Sequence, residues 1–437
     1  MASPTAEPFT PDVKCHTVDP KQAGVATGVN IRPGDDDDGW TVPDPVTLAD
    51  GSIIQLYKDG EALHAAMNAI RAAKSRICLE VYIFAGDETG RAFAQLLAER
   101  ARAGVKVFVI YDSFGSMRTD PAQFRMMKHA GVKVEVFHPL APWKTRFGWR
   151  PFNRDHRKLL IIDSHIAGMG GINVGAEYAG SWVVPSKRAE CDYWRDNAIG
   201  IKGPAVKSLL KAFSRTWKYV TQGGRMVKAQ LWQPAGGTEI MDGRRTVQHP
   251  LHADTGGDDF GVLASVPTAR SPLRPALHAL FGSASRSILM TMAYFAPDDD
   301  LIDELARAAR RGVRVRLMLP GVCDVPILVT AARSFYEKLM GAGVEIYERQ
   351  AVVLHAKTMC IDECVSIVGS TNLDYRSIEY NLELSAIIRS EAFGRQMCTL
   401  FENDVNFARR IDPRSWRKRA WSDRVGQWAV SRARYLL

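Results

Sequence analysis

No stretch of this 437-residue chain approaches the ~18 consecutive apolar residues that a bilayer-spanning helix requires. The opening residues, Met1 to Ala6, carry neither the basic stretch nor the apolar run of an export signal. Cysteine is scarce: seven residues, odd in number and scattered, which reads as reduced thiols inside a cell rather than a disulfide framework. Cys360 and Cys364 have no second pair to complete a zinc site, so both are expected in the core. The run Asp35 to Asp38 lacks the glycine and closing glutamate of a calcium loop at the required spacing. What the chain does have is globular composition, 46% apolar and 24% charged, which excludes a largely disordered protein. Lys and Arg number 57 against 48 Asp and Glu, a net charge of +9. That surplus suits a partner carrying phosphates, either nucleic acid or an anionic lipid surface.

Residues 1–45 are rich in Pro and Gly with little apolar periodicity, and read as a solvated tail. From Ile53 onward helical and strand periods alternate. Helices are expected at 62–73 and 89–103, a third ends near Gly131, and strands are expected at 77–84, 105–111 and 132–137. The order then recurs, with helices at 276–285, 301–310 and 334–342 and strands at 288–295, 313–319 and 344–347. Ala103-Gly104-Val105-Lys106-Val107 matches Arg311-Gly312-Val313-Arg314-Val315 in place, and Ala130-Gly131-Val132 matches Ala342-Gly343-Val344. These matches mark a duplication, and the alternation puts each copy in the α/β class. The expected division is a tail to residue 45, a first lobe 46–224, a linker 225–257, a second lobe 258–410 and a basic, aromatic tail 411–437.

Each copy closes on the same polar pattern. The first carries His156, Lys158, Asp163, Gly170 and Asn173; the second carries His355, Lys357, Asp362, Gly369 and Asn372, at identical offsets. Residues two apart on a strand share a face, so each His and its Lys point the same way. The Asp falls on the opposite face, where it is expected to brace backbone rather than touch substrate. Glycine permits close backbone approach to a phosphate, and asparagine offers an amide donor. Two such hairpins facing one another would bring two imidazoles and two ammonium groups to one phosphorus. That set can hold a phosphodiester with no metal or cofactor. One imidazole would attack phosphorus and form a phosphohistidine, while the other moves the proton of the departing or arriving hydroxyl.

The doubled His-x-Lys-x4-Asp pattern resembles the signature of the phospholipase D superfamily. Asn153 to Lys158 with Gly170-Gly171-Ile172-Asn173, and Leu354-His355-Ala356-Lys357 with Gly369 to Ser377, resemble its bacterial cardiolipin synthase branch. The resemblance runs from about Val46 to Asn406 and takes in Leu79 to Phe84, Tyr193-Trp194-Arg195-Asp196 and Asn381-Leu382-Glu383. It implies two α-β-α sandwich lobes related by a pseudo-twofold axis, with one active site at their interface. It assigns His156 as nucleophile and His355 as acid/base, and its signature counts Lys158, Asp163, Lys357 and Asp362 as catalytic. Gly171, Asn173, Ser370 and Asn372 are expected against substrate. The family also places a carboxylate downstream of each motif to orient its His; Asp196 and Glu383 fit by position, with a salt bridge to Arg195 as the competing role for Asp196. Longer members carry N-terminal membrane spans, which this sequence lacks.

Without a span, a lipid enzyme needs an interfacial device. Trp143, Phe147, Trp149 and Phe152 alternate with Lys144, Arg146 and Arg150 just before His156. The tail from Arg414 repeats the theme, and Trp421, Val425 and Trp428 share a helical face. The resemblance thus implies a phosphatidyltransferase that makes cardiolipin from two phosphatidylglycerols, working on phospholipids at an anionic membrane surface from the cytoplasmic side. A phospholipase D that hydrolyses the same lipids is the nearest rival. A nuclease of the superfamily ranks lower, and a non-catalytic scaffold would not need both sets of His and Lys intact.

Overall fold

Four glycines punctuate the two halves. Gly104, Gly131, Gly312 and Gly343 each follow a helix and precede a strand with φ between 90° and 100°, a backbone region that glycine enters without the penalty a Cβ imposes. The computed structural model describes residues 39–141, 152–180, 193–222, 259–265 and 272–433. The first half runs β1 (Val46–Thr47), β2 (Ile53–Lys58), α1 (Glu61–Ala72), β3 (Arg76–Val81), α2 (Glu88–Arg102) and β4 (Lys106–Asp112). It continues with α3 (Pro121–His129), β5 (Lys133–Phe137), β6 (Lys158–Ile162), β7 (Ile166–Gly170), β8 (Asn197–Lys202) and α4 (Val206–Thr221).

The second half opens with β9 (Asp259–Ala264), α5 (Leu273–Ser283), β10 (Ser287–Met292), β11 (Phe295–Ala296) and α6 (Asp299–Arg310). Next come β12 (Arg314–Pro320), α7 (Pro326–Arg333), α8 (Tyr336–Gly341), β13 (Glu345–Arg349), β14 (Lys357–Ile361) and β15 (Val365–Gly369). The described residues end in β16 (Leu373–Asp374), α9 (Tyr375–Glu379), β17 (Leu384–Arg389), α10 (Glu391–Val405), β18 (Ala408–Arg410), α11 (Pro413–Arg417) and α12 (Trp421–Ala433).

Each half builds its own eight-stranded sheet. The orders are β1-β2-β8-β7-β6-β3-β4-β5 and β18-β13-β12-β10-β14-β15-β17-β9. Read in opposite directions they superpose from β2 on β9 to β5 on β13, with a parallel run of three strands followed by antiparallel hairpins in both. Helices α1, α2 and α3 bury Leu63, Ile70, Phe93, Leu97 and Met127 against one face of the first sheet. Helices α5, α6 and α8 do the same for the second with Leu280, Leu301, Leu305 and Tyr336. Between the sheets lie α4 and α10, whose Leu209, Phe213, Phe393 and Met397 join strand residues of both halves in one core. The result is five layers, an α-β-α sandwich per lobe with the inner helices shared across the interface.

Three elements differ from the periodicity: the strand expected at 77–84 stops at Val81, with Phe84 in an isolated bridge to Val174, and two more lie in the second half. The strand expected at 288–295 stops at Met292, and Phe295–Ala296 turns away to pair with Leu373–Asp374. The helix expected at 334–342 is preceded by a second one, α7, which Pro326 opens at its first turn. The proposed linker, all but the last residues of the N-terminal tail, and Trp143, Phe147 and Trp149 lie outside the described residues.

The β6–β7 turn places Asp163 and Ser164 at positive φ, as β14–β15 does with Asp362 and Glu363. Asp163 accepts from the backbone N–H groups of Lys74, Ser75 and Arg76 at 2.7 to 2.9 Å. Asp362 does the same for Ser285, Arg286 and Ser287. These bonds tie the end of α1 or α5 to the following strand and outweigh the slight burial, holding the Asp163 carboxyl well below the usual range. Its contribution is therefore complete above the ordinary carboxylate range and is lost as pH falls beneath it. Asp163→Ala should cost about 1–2 kcal/mol of stability, discounted for solvent exposure, and measurably lower the thermal midpoint. An unchanged midpoint would show that the turn holds without it.

Candidate active site

Backbone pairing between the lobes sets the position of both histidines. Asp155 forms a parallel bridge with Leu382, and Arg195 forms one with Leu354. The His156 N–H donates to the Leu382 carbonyl at 2.9 Å and the Leu382 N–H to the Arg154 carbonyl at 2.8 Å. In the mirror arrangement the His355 N–H donates to Arg195 at 2.8 Å and the Arg195 N–H to Val353 at 2.9 Å. The next residue along each partner segment is a carboxylate. Glu383, from the second lobe, lies 3.1 Å from Nδ1 of His156 in the first. Asp196, from the first lobe, lies 2.7 Å from Nδ1 of His355 in the second. Each carboxylate thus serves the opposite motif's histidine, not that of the motif upstream of it. The expected pairing is corrected because the bridges cross the interface. Nor does the Asp196 carboxylate pair with the Arg195 side chain, which donates to the Asp196 backbone carbonyl and makes a two-point pair with Asp404 at 2.7 and 2.8 Å.

With Nδ1 of each ring engaged, Nε2 is the nitrogen left for chemistry. Both rings line one cavity of about 630 Å³, together with Asn173 and Asn372. Tyr82 stands edge-on to His156 at 5.0 Å between ring centroids, and Tyr178 and Trp194 flank His355 at 5.3 Å each. Lys158 Nζ donates to the His156 carbonyl at 2.6 Å, and Lys357 Nζ lies 2.8 Å from His355 Nδ1.

Removal from water dominates the electrostatics. Burial and then Lys158 push the His156 imidazole down to about 4, against the pull of Glu383. Burial, Lys357 and Lys158 hold His355 well below the usual imidazole range. Burial lowers Lys357 to about 8 although Asp196 opposes it, while burial and the Lys357 charge hold Lys158 well below the usual amine range. Burial would raise Glu383, but His156, Lys158 and Ser370 hold it below the ordinary value. Asp196 is pushed up by burial to about 6. Burial thus disfavours the charged forms of all four basic groups, and a phosphodiester among them would favour those forms.

Several residues grouped by sequence part company here. Asp163 and Asp362 brace turns away from the cavity and leave the catalytic set. Ser370 does not line the cavity; its hydroxyl donates to Glu383 at 2.5 Å and its carbonyl sits 3.1 Å from Nδ1 of His156. Gly171 packs against the Asp196 carboxylate, where an added Cβ would come within 2.2 Å of it. Both therefore shape the histidine supports, not a direct substrate contact. The Asn173 amide donates to the Tyr178 hydroxyl at 2.8 Å and accepts from the Ile83 N–H. Tyr178 and Asp324, which also line the cavity, carry no sequence signal: neither belongs to a repeated motif.

A family model described as "Cardiolipin synthase, PLD-like domain" matches residues 66–217 and 277–405. The chain is 31% identical over 376 residues to the probable cardiolipin synthase YwiE of Bacillus subtilis, covering 86% of this chain and 70% of that protein. It is 30% identical over 388 residues to a cardiolipin synthase of Clostridium perfringens, covering 88% and 77%. Among solved structures, phosphatidylserine synthase of Haemophilus influenzae superposes with a TM-score of 0.63 at 14% identity, over 88% of this chain and 95% of that one. That likeness concerns the fold.

In histidine-labelled protein, NMR should find His156 titrating near 4 in the free state. Orthophosphate or tungstate should raise that midpoint by about one pH unit or more, and Glu383→Gln should lower it. A midpoint at the ordinary imidazole value without an anion would contradict the burial of the ring.

Proposed function

Because this chain belongs to the phospholipase D-like family of cardiolipin synthases, we propose that it transfers the phosphatidyl group of one phosphatidylglycerol to a second, forming cardiolipin and releasing glycerol. The observation that carries this reading is the meeting of two imidazoles in one cavity, each with its Nδ1 held by a carboxylate from the opposite lobe. A neutral His156, poised by its low pKa, attacks phosphorus through Nε2. The Glu383 carboxylate and the Ser370 carbonyl stabilise the ring as it takes on charge. His355 protonates the departing glycerol oxygen and then accepts the proton of the incoming hydroxyl. Lys158 and Lys357 each use one proton on a backbone carbonyl, leaving others for the phosphoryl oxygens. Asn173 and Asn372 line the cavity with the two histidines, and the lysines stand behind them, buried beneath its wall.

The enzyme works at the membrane surface, docking by its apolar rim. Phe114 and Met117, which line the cavity, are 50% and 60% exposed, and Phe152, four residues before His156, is 69% exposed. Helix α12 packs on α7 through Val430, beside Leu328 and Ala331. It turns Trp421, Val425 and Trp428 to solvent, at 70%, 51% and 61% exposure. Aromatic rings among arginines suit the headgroup region of an anionic bilayer.

With phosphatidylglycerol vesicles, the purified protein should yield cardiolipin and glycerol, and His156→Ala should cut turnover at least about a thousandfold. Ordinary turnover by that variant would remove His156 as nucleophile. Trp421→Ala with Trp428→Ala should weaken co-sedimentation with anionic vesicles about tenfold while leaving the Val430 packing intact. Unchanged sedimentation would reject α12 as a docking element.

A further inference from the structure

One carboxylate stands where a phosphate site has no use for it. Asp324 lines the cavity from the loop between β12 and α7, and its Oδ2 accepts from the Tyr294 hydroxyl at 2.7 Å. The position has no counterpart in the first half. There the matching loop after β4 carries Ser116, whose hydroxyl turns inward to the Tyr82 carbonyl and the Phe84 N–H. The departure from symmetry falls on one side of the site. Against burial and the two lysine charges, Asp324 favours the protonated form of His355, and it opposes burial at Lys357 as well. His156, by contrast, answers mainly to burial, Lys158 and Glu383. A carboxylate near a phosphodiester repels it, so Asp324 is suited to a different part of the substrate, one that donates hydrogen bonds.

Building on the phosphatidyltransferase reading, we propose that Asp324, held by Tyr294, forms the subsite for the alcohol that His355 serves and binds the neighbouring hydroxyl of a glycerol headgroup. The carboxylate offers two oxygens with several lone pairs. Tyr294 occupies one position, and the Cys323 thiol makes a weak contact at 3.3 Å to the other oxygen. Capacity remains for a substrate hydroxyl. Tyr178, Trp194 and Tyr294 surround His355 at centroid distances of 5.3, 5.3 and 6.4 Å, a wall that covers the carbon faces of a polyol and crowds out water. An aromatic enclosure with a carboxylate also fits an ammonium group. Here, however, Arg118, Arg154 and Arg376 line the same cavity and already balance Glu177, Asp374 and Asp324, so no excess of negative charge calls for a cation, and the hydroxylated headgroup of the proposed reaction fits the subsite.

In the second half-reaction the acceptor oxygen bonds phosphorus as the phosphorus–nitrogen bond to His156 breaks. The bond electrons return to the imidazole, and the acceptor proton passes to His355. Asp324 takes no proton in this step. It holds the alcohol so that its reacting oxygen, rather than that of water, meets the phosphohistidine.

The test separates acceptor choice from donor cleavage. With phosphatidyl-p-nitrophenol as donor, the nitrophenolate leaves without help from an acid, and the phosphatidyl group then partitions between water and added glycerol. The partition ratio is internal to each sample, so a partly misfolded variant does not distort it. Asp324→Ala should lower the glycerol-to-water ratio about tenfold, the loss of one hydrogen bond to a charged group. Asp324→Asn, which keeps an acceptor oxygen but no charge, should fall between. An unchanged ratio in both variants would overturn the assignment. So would a wild-type preference for choline or ethanolamine over glycerol that Asp324→Ala abolishes, which would make the subsite a cation site. If the wild-type protein releases nitrophenol yet transfers to neither glycerol nor phosphatidylglycerol, the transferase reading itself fails, a result separable from the others.

Discussion

The crossed pairing of Asp155 with Leu382 and of Arg195 with Leu354 is the constraint on which the site depends. Each bridge is a short parallel contact whose hydrogen bonds are shared by the two lobes, and each delivers a carboxylate one residue further on. Neither histidine has its support within its own half. Separating the lobes would therefore strip both rings of their carboxylate partners at once. The shared core of α4 and α10 opposes that separation through apolar burial.

Charge arrangement follows from this closure. Packing two lysines, two histidines and two carboxylates out of water makes every ammonium and imidazole harder to protonate. An anion placed among these groups would favour their protonated forms. The same burial that lowers His156 to about 4 favours the neutral form of its ring.

Much of this was legible in the residue order. A period of two put each His and Lys on one strand face, and the Gly-Val phrases marked the duplicated helix-to-strand turns. The opposite-face placement of Asp163 and Asp362 followed from the same alternation. Crossing was not legible, because His156 and Glu383 are 227 positions apart and nothing in the spacing tells which histidine a downstream carboxylate meets. Ser370 is expected against substrate, yet the turn after β15 directs its hydroxyl to Glu383. Helix α7 belongs to no phrase repeated in the first half, and Asp324 just before it has meaning only once Tyr294 is beside it.

The exchange of supports between halves bears on how such a protein could arise. A forebear with a single copy, built on the same plan, would have been inert alone and competent only when two molecules met and lent each other their carboxylates. Joining the copies in one polypeptide made that encounter permanent and independent of concentration. It also released the two versions from identity: once each was encoded separately, one loop could keep a serine turned inward while its twin acquired an aspartate facing the chamber.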